Sequence, residues 1–180
     1  MTRILDELRP RSVLELGLGI STTLISNYFR HHQEERSEHI TIEQDAGWRD
    51  FYLTRHQIPS CTDIHIVPIV FREKDGQRFE AYEDLHPILD GKKFPVVSID
   101  GPHGATYYAR RDLLPYFPAL LPADFVIVID DAQRPGEQRT IADLLEKLKA
   151  SGIEPVIGYY KGSKYCAVIA SKSLWQFCSL

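Results

Sequence analysis

Apolar and polar positions along the chain fall into blocks whose period keeps changing. Ser12 to Leu16 (SVLEL) is a short buried-strand run. Ser21 to His32 then sets Leu24, Ile25, Tyr28 and Phe29 on one face at helical spacing. HITIEQD supplies a second strand ending in acid at Glu43, and Ala46 to His56 reads as helix. Asp63 to Phe71 (DIHIVPIVF) predicts a third strand, and Asp75-Gly76 between flanking polar-apolar runs predicts a small surface hairpin. Phe94 to Ile99 is a strand ending at Asp100, and Phe125 to Ile129 (FVIVI) is another ending at Asp130-Asp131. Between them a helix is expected over Thr106 to Leu121, bent or interrupted at Pro115 and Pro118. Gln138 to Ala150 aligns Ile141, Leu144, Leu145 and Leu148 on one stripe, with Gly152 where a helix C-cap falls. EPVIGYY and YCAVIAS flank KGSK as an antiparallel hairpin, and a short helix over Thr2 to Leu8, stopped by Pro10, opens the chain.

Continuous apolar strands alternating with helices imply a mostly parallel sheet covered on both faces. The expected class is therefore α/β: a Rossmann-like, doubly wound, mostly parallel seven-stranded sheet with a C-terminal antiparallel hairpin, as a single domain over residues 1–180. That length suits one sizeable core. There are no internal repeats, low-complexity tracts or linkers.

The formal charge of −4 and the lack of any long basic run argue against nucleic acid as a partner. Cys61, Cys166 and Cys178 are odd in number and lack metal-ligand spacing, which points to reduced thiols in the cytoplasm. MTRILDELRP has no apolar core of signal-peptide length, and no segment is long enough to span a bilayer. A cytoplasmic protein acting on a small molecule, with neither membrane nor nucleic acid as partner, is the expectation.

In a sheet of this kind ligands collect beyond the carboxyl ends of the strands. The acids of this chain fall there repeatedly: Glu15, Glu43, Asp100, Asp130 and Asp131. VLELGLGIST runs from a strand through Gly17-Leu18-Gly19 into the hydroxyls of Ser21 and Thr22, but it lacks the third glycine of a dinucleotide fingerprint. An acid two positions before the first glycine repels a phosphate and suits a cationic ligand. Glu15 with this turn therefore fits an amino-acid and sulfonium portion better than a diphosphate, and Glu43 is placed to accept from two ribose hydroxyls. The alternative for the turn is a plain tight connection with a nearby acid.

Glu15-Leu16-Gly17-Leu18-Gly19, then Glu43, then the strand ending at Asp100, resemble the successive motifs of class I S-adenosylmethionine-dependent methyltransferases over nearly the whole chain. The terminal hairpin resembles that family's antiparallel last strand. The resemblance implies S-adenosylmethionine as cofactor, with Glu15, Gly17, Gly19, Ser21, Thr22, Glu43, Gln44 and Asp100 as the binding set.

VVSIDGPHG and VIVIDDAQRPG further resemble the metal-dependent O-methyltransferases of the catechol and macrolide-sugar kinds. Three carboxylates brought together repel unless a cation joins them, and all-oxygen ligands suit Mg²⁺, with Mn²⁺ or Ca²⁺ as alternatives. Asp100, Asp130 and Asp131 match the family's metal positions, and His103 stands where the catechol type has its basic general base. Asp100 and His103 are thus the expected catalytic pair. Pro102 stands where the sugar type has a second aspartate. The structural alternative is that these aspartates cap turns.

Trp48, Tyr107, Tyr108, Tyr159 and Tyr160 are candidates for an acceptor pocket but are expected mostly in the core, and Arg134 and Arg139 flank the acid loop. Only Thr2 to Leu8 precedes the first strand, whereas related enzymes carry extra N-terminal helices over the ligands. The site is therefore open, covered by a second copy in a homo-oligomer, or reached by the hairpin around Asp75-Gly76. Two functions compete: metal-assisted O-methylation of a small hydroxylated acceptor such as a sugar or natural product, or a methyltransferase-like module that binds the nucleotide without chemistry. The incomplete glycine pattern disfavours an NAD oxidoreductase.

Overall fold

Strand residues in this chain alternate between two apolar faces, and that alternation builds the molecule. The computed structural model describes residues 1–32, 37–102, 107–162 and 164–179. In chain order the elements are α1 (Thr2–Leu8), β1 (Ser12–Leu16), α2 (Ile20–His31), β2 (Glu38–Glu43), α3 (Ala46–Leu53) and β3 (Thr62–Ile66). There follow β4 (Ile69–Lys74), β5 (Gln77–Tyr82), α4 (His86–Leu89), β6 (Val96–Ile99) and β7 (Val126–Ile129). The chain closes with α5 (Pro135–Ala150), β8 (Val156–Lys161), β9 (Tyr165–Ala170) and a 3₁₀ segment, Lys172–Cys178.

Seven strands form one sheet in the order β3-β2-β1-β6-β7-β9-β8, and β4 pairs with β5 as a separate two-stranded ribbon. The first five strands run parallel. β9 lies antiparallel between β7 and β8, so the terminal hairpin is inserted into the sheet, as the resemblance implied. One face carries Leu14, Leu16, Ile40, Ile42, Val97 and Ile99, packed beneath Leu113, Phe117, Leu120 and the α5 stripe Ile141, Leu144 and Leu148. The opposite face carries Val13, Val96, Val126 and Val168 against Ile4 and Leu5 of α1, Ile25 and Phe29 of α2, and Phe177. The period of two along each strand thus feeds two cores. Among the described residues no helix is long and apolar enough to cross a membrane.

Two expected elements differ. The single strand over Asp63 to Phe71 is two strands in two sheets. Pro68 has no N–H to give the ladder, so the main sheet keeps β3 and the chain departs to form β4. The helix over Thr106 to Leu121 is absent from its described part, where 112–120 are successive turns. Leu114, Tyr116 and Leu121 donate to carbonyls three residues back, whereas Phe117 and Leu120 donate four back. The apolar positions are buried at helical intervals, but Pro115 and Pro118 supply no N–H, so a regular ladder cannot form.

Candidate functional site

From β1 the chain winds outward through β2 and β3, then crosses to lay β6 on the other side of β1. A crevice opens at that reversal, beyond the carboxyl ends of β1, β2, β6 and β7. It is a cleft of about 780 Å³ whose walls include Gly17, Gly19, Ser21, Glu43, Gln44, Trp48, Asp100, Asp130 and Asp131.

The glycine turn after β1 is fixed from two sides. Gly17 adopts φ +97°, and a Cβ there would stand 3.1 Å from the backbone of Asp100 and of Gly101. A Cβ on Gly101 would in turn lie 2.8 Å from the Tyr82 hydroxyl and 3.0 Å from the Gly17 nitrogen. The ends of β1 and β6 approach so closely that a side chain at either position would force its neighbours to shift. Gly19, which caps α2, has nothing within 4 Å of a notional Cβ, so the space above it is open to a ligand.

Glu43 closes the turn from the β2 side. Its Oε2 accepts from the Leu18 N–H at 2.9 Å, and its Oε1 accepts from the N–H groups of Gln44 (2.8 Å) and Asp45 (2.9 Å). A carboxylate has about four acceptor positions. Three are used to hold the backbone, and capacity remains on a residue that lines the cleft. Trp48 donates its indole N–H to the Leu18 carbonyl at 2.8 Å and stands 42% exposed beside the exposed Ile20, giving the mouth an apolar edge.

Asp100, Asp130 and Asp131 converge, each offering an oxygen within 4.8 Å of the others. Cationic side chains run between them. Arg110, 4% exposed, donates through Nη2 to Asp100 Oδ1 (2.9 Å) and to Asp131 Oδ2 (3.0 Å), and through Nη1 to the Asp130 carbonyl (2.6 Å). Its Nε is 3.7 Å from Glu137 Oε1, a carboxylate buried in the first turn of α5. Arg134 Nη1 lies 2.9 Å from Asp131, and Lys164 Nζ lies 3.3 Å from Asp130 Oδ2 and 3.4 Å from Asp131 Oδ1. Arg110 and Asp131 both hold left-handed backbone conformations, φ 54° and 57°. Such strain persists only where surrounding contacts over-determine it.

The charges tune one another. Burial pushes the Asp131 carboxyl upward, but Arg110, Arg134 and Lys164 together outweigh it and hold the group below the usual carboxylate range. Asp100 goes the other way: burial raises it, the neighbouring aspartates add to that, and Arg110 and Lys164 offset it only in part. Burial likewise raises Glu137.

Of the residues singled out from sequence, Gly17, Gly19, Ser21, Glu43, Gln44, Asp100, Asp130 and Asp131 come together around the cleft. Glu15 does not line it. Strand alternation turns its side chain into the layer between β1 and α2, where Oε2 meets His39 Nε2 (3.3 Å) and accepts from the Thr41 hydroxyl (3.2 Å). Thr22 is buried and caps α2 by accepting from the Gly19 N–H at 2.9 Å. His103 lies outside the described residues. The carboxylates also depart from the unpaired trio expected, because Arg110, Arg134 and Lys164 are already among them.

Other side chains are placed differently from expectation. Trp48, Tyr107 and Tyr159 are exposed rather than in the core. Arg139 stacks on Tyr107 with its guanidinium 3.9 Å from the ring centre. The Asp75-Gly76 hairpin forms, but none of its residues lines the cleft. It is pinned sideways, with the Tyr108 hydroxyl donating to Asp75 at 2.6 Å and Lys74 reaching Asp143 of α5. Arg110, Glu137 and Lys164 were not singled out from sequence. Glu137 three residues after Arg134, at a helix start, was the available signal for an ion pair.

No family model matches the chain, and no curated protein matches it. Solved structures do. It is similar to a methyltransferase of Podospora anserina solved with SAH bound, at 13% identity and a TM-score of 0.56, over 95% of this chain and 76% of that one. It is also similar to human methyltransferase-like protein 13 in complex with SAH, at 14% identity and a TM-score of 0.57, over 94% of this chain and 75% of that one. Likeness at this level of identity is one of fold: the chain has the Rossmann-like fold of these methyltransferases.

Proposed function

We propose that the protein is an S-adenosylmethionine-dependent methyltransferase that methylates a hydroxyl oxygen of a small molecule such as a sugar or natural product. The observation that carries this reading is the position of Glu43. It ends β2 inside the cleft, grips the glycine turn through the Leu18 N–H, and keeps about one acceptor position for a ribose hydroxyl. The open space above Gly19 receives the amino-acid portion, and Gln44, Ile20 and Trp48 border the base.

The acceptor enters beside Asp100, Asp130 and Asp131. Its oxygen attacks the sulfonium methyl in line: an O–C bond forms, the C–S bond breaks, and the electron pair returns to sulfur, leaving S-adenosylhomocysteine. The hydroxyl proton passes to His103, assigned by its place three residues after Asp100 in the sequence. The protein's own contribution is chiefly alignment of the two reactants in a fixed cleft.

The acid trio is suited to Mg²⁺. Arg110 is committed to Asp100 Oδ1 and Asp131 Oδ2, which leaves the other oxygen of each, and Asp131 Oδ1 is a buried acceptor without a hydrogen bond. Asp100, Asp130 and Asp131 would hold the ion, which when bound supplies polarisation of the acceptor oxygen. Arg110 fixes the orientation of two of these carboxylates from behind.

A cytoplasmic location is supported by three cysteines that are all unpaired. A small-molecule acceptor, rather than nucleic acid, is supported by the cleft's basic residues, since Arg110, Arg134 and Lys164 each carry an acidic partner. A second reading, a nucleotide-binding module without chemistry, is favoured by that same neutralisation of the aspartates. Incubation with methyl-labelled S-adenosylmethionine, Mg²⁺ and a panel of catechols and sugars separates the two. Label in a methyl ether supports the enzyme; tight S-adenosylhomocysteine binding with no transfer to any panel member supports the module.

A further inference from the structure

We infer that Lys164 is a displaceable internal counter-ion that occupies the cation seat between Asp130 and Asp131, so that a divalent ion must expel it to bind. The inference rests on the metal-assisted reading and concerns how the chain itself controls entry to that seat.

Three observations lead to it. Lys164 Nζ is close to an oxygen of both aspartates at once, 3.3 Å from Asp130 Oδ2 and 3.4 Å from Asp131 Oδ1. This is the bridging position that a shared cation takes. Asp131 is 3% exposed, yet its Oδ1 makes no formed hydrogen bond, so the lysine neutralises that oxygen without satisfying it. A buried acceptor left in that state favours a partner that fits better.

The third observation is the contrast with Arg110. Arg110 is buried and reaches the oxygens on the far side, Asp100 Oδ1 and Asp131 Oδ2. It is built in and need not move. Lys164 is 54% exposed beside the β8–β9 turn, and its long stem can swing into water. The backbone under it stays anchored, because Ala132 donates to the Tyr165 carbonyl at 2.8 Å and Tyr165 donates to Gln133 Oε1 at 3.0 Å. The side chain can therefore leave without unpicking the hairpin. An exposed ammonium paired to carboxylates is held only weakly.

The test is calorimetric titration of Mn²⁺ and Mg²⁺ into the wild-type chain, Lys164→Gln and Asp130→Asn, with S-adenosylhomocysteine titrated separately into each without metal. Lys164→Gln is expected to bind Mn²⁺ more tightly than wild type, by up to about five-fold, the factor that removal of a weak competing pair gives. Asp130→Asn is expected to bind it more weakly. Equal or weaker Mn²⁺ binding by Lys164→Gln overturns the inference, as does a wild type and a Lys164→Gln that both give no metal heat. The metal-free S-adenosylhomocysteine titrations report on the nucleotide reading by themselves, so its failure is told apart from failure at the lysine.

Discussion

Arg110 donates to Asp131 across 3.0 Å with the two side chains 4% and 3% exposed, an ion pair sealed between the ends of β6 and β7. Glu137 is buried against the same guanidinium, so one cation answers two hidden carboxylates. Removing it leaves both without their principal counter-charge. Arg110→Met is expected to lower stability by about 3–5 kcal/mol in urea denaturation. A loss under about 1 kcal/mol would show that water, not Arg110, neutralises these acids. Arg110→Lys keeps the charge but not the fork, and should fall in between.

Two glycines at positive φ separate crowding from conformation. Gly17 (φ +97°) faces backbone 3.1 Å away, whereas Gly76 (φ +71°), at the turn of the β4–β5 hairpin, faces nothing within 4 Å. Gly76→Ala should cost about 1 kcal/mol from conformation alone. Gly17→Ala should cost at least about 2 kcal/mol, because the β6 backbone cannot give way. Equal losses in the same denaturation experiment would remove the close approach of β1 and β6 from the account.

Asp112 gives a pH dependence of definite sign. Burial pushes its carboxyl up to about 6, against the hydrogen bond it accepts from the Tyr82 N–H at 2.6 Å. The folded chain therefore holds a proton over a window in which the unfolded chain has released it. Stability falls as pH rises from the ordinary aspartate range through about 6, then levels off. Asp112→Asn should match wild type near the low end of that window and exceed it above about pH 7, on the order of 2 kcal/mol. Thermal melts across pH check this; parallel pH profiles for the two proteins would contradict it.

The strands that carry the site were legible in the sequence for a simple reason. Parallel strands buried on both faces, such as Val126–Ile129, are continuous apolar runs, and their carboxyl ends are where Glu43, Asp100 and Asp130 stand. Two kinds of feature were not legible. Pro68 sits inside a pattern that reads as one strand, and Pro115 and Pro118 inside one that reads as a bent or interrupted helix; whether a proline bends an element or abolishes it depends on packing. The partners of the acids come from distant segments: Arg110 from the connection after β6, and Lys164 from the terminal hairpin. Only the insertion of β9 beside β7 brings Lys164 within reach of Asp130. Glu15 shows the same limit. Its place before the glycine turn suggested a ligand, but strand alternation points it at His39 and Thr41.

A methyl donor held against Glu43, in the cleft at the ends of β1 and β2, is best probed by calorimetric titration of S-adenosylhomocysteine into wild type and Glu43→Gln. We expect one site on the wild type with a dissociation constant on the order of micromolar, weakened about ten- to a hundred-fold by the substitution, as loss of a charged acceptor implies. No heat on the wild type, or equal affinity in the two proteins, would contradict it.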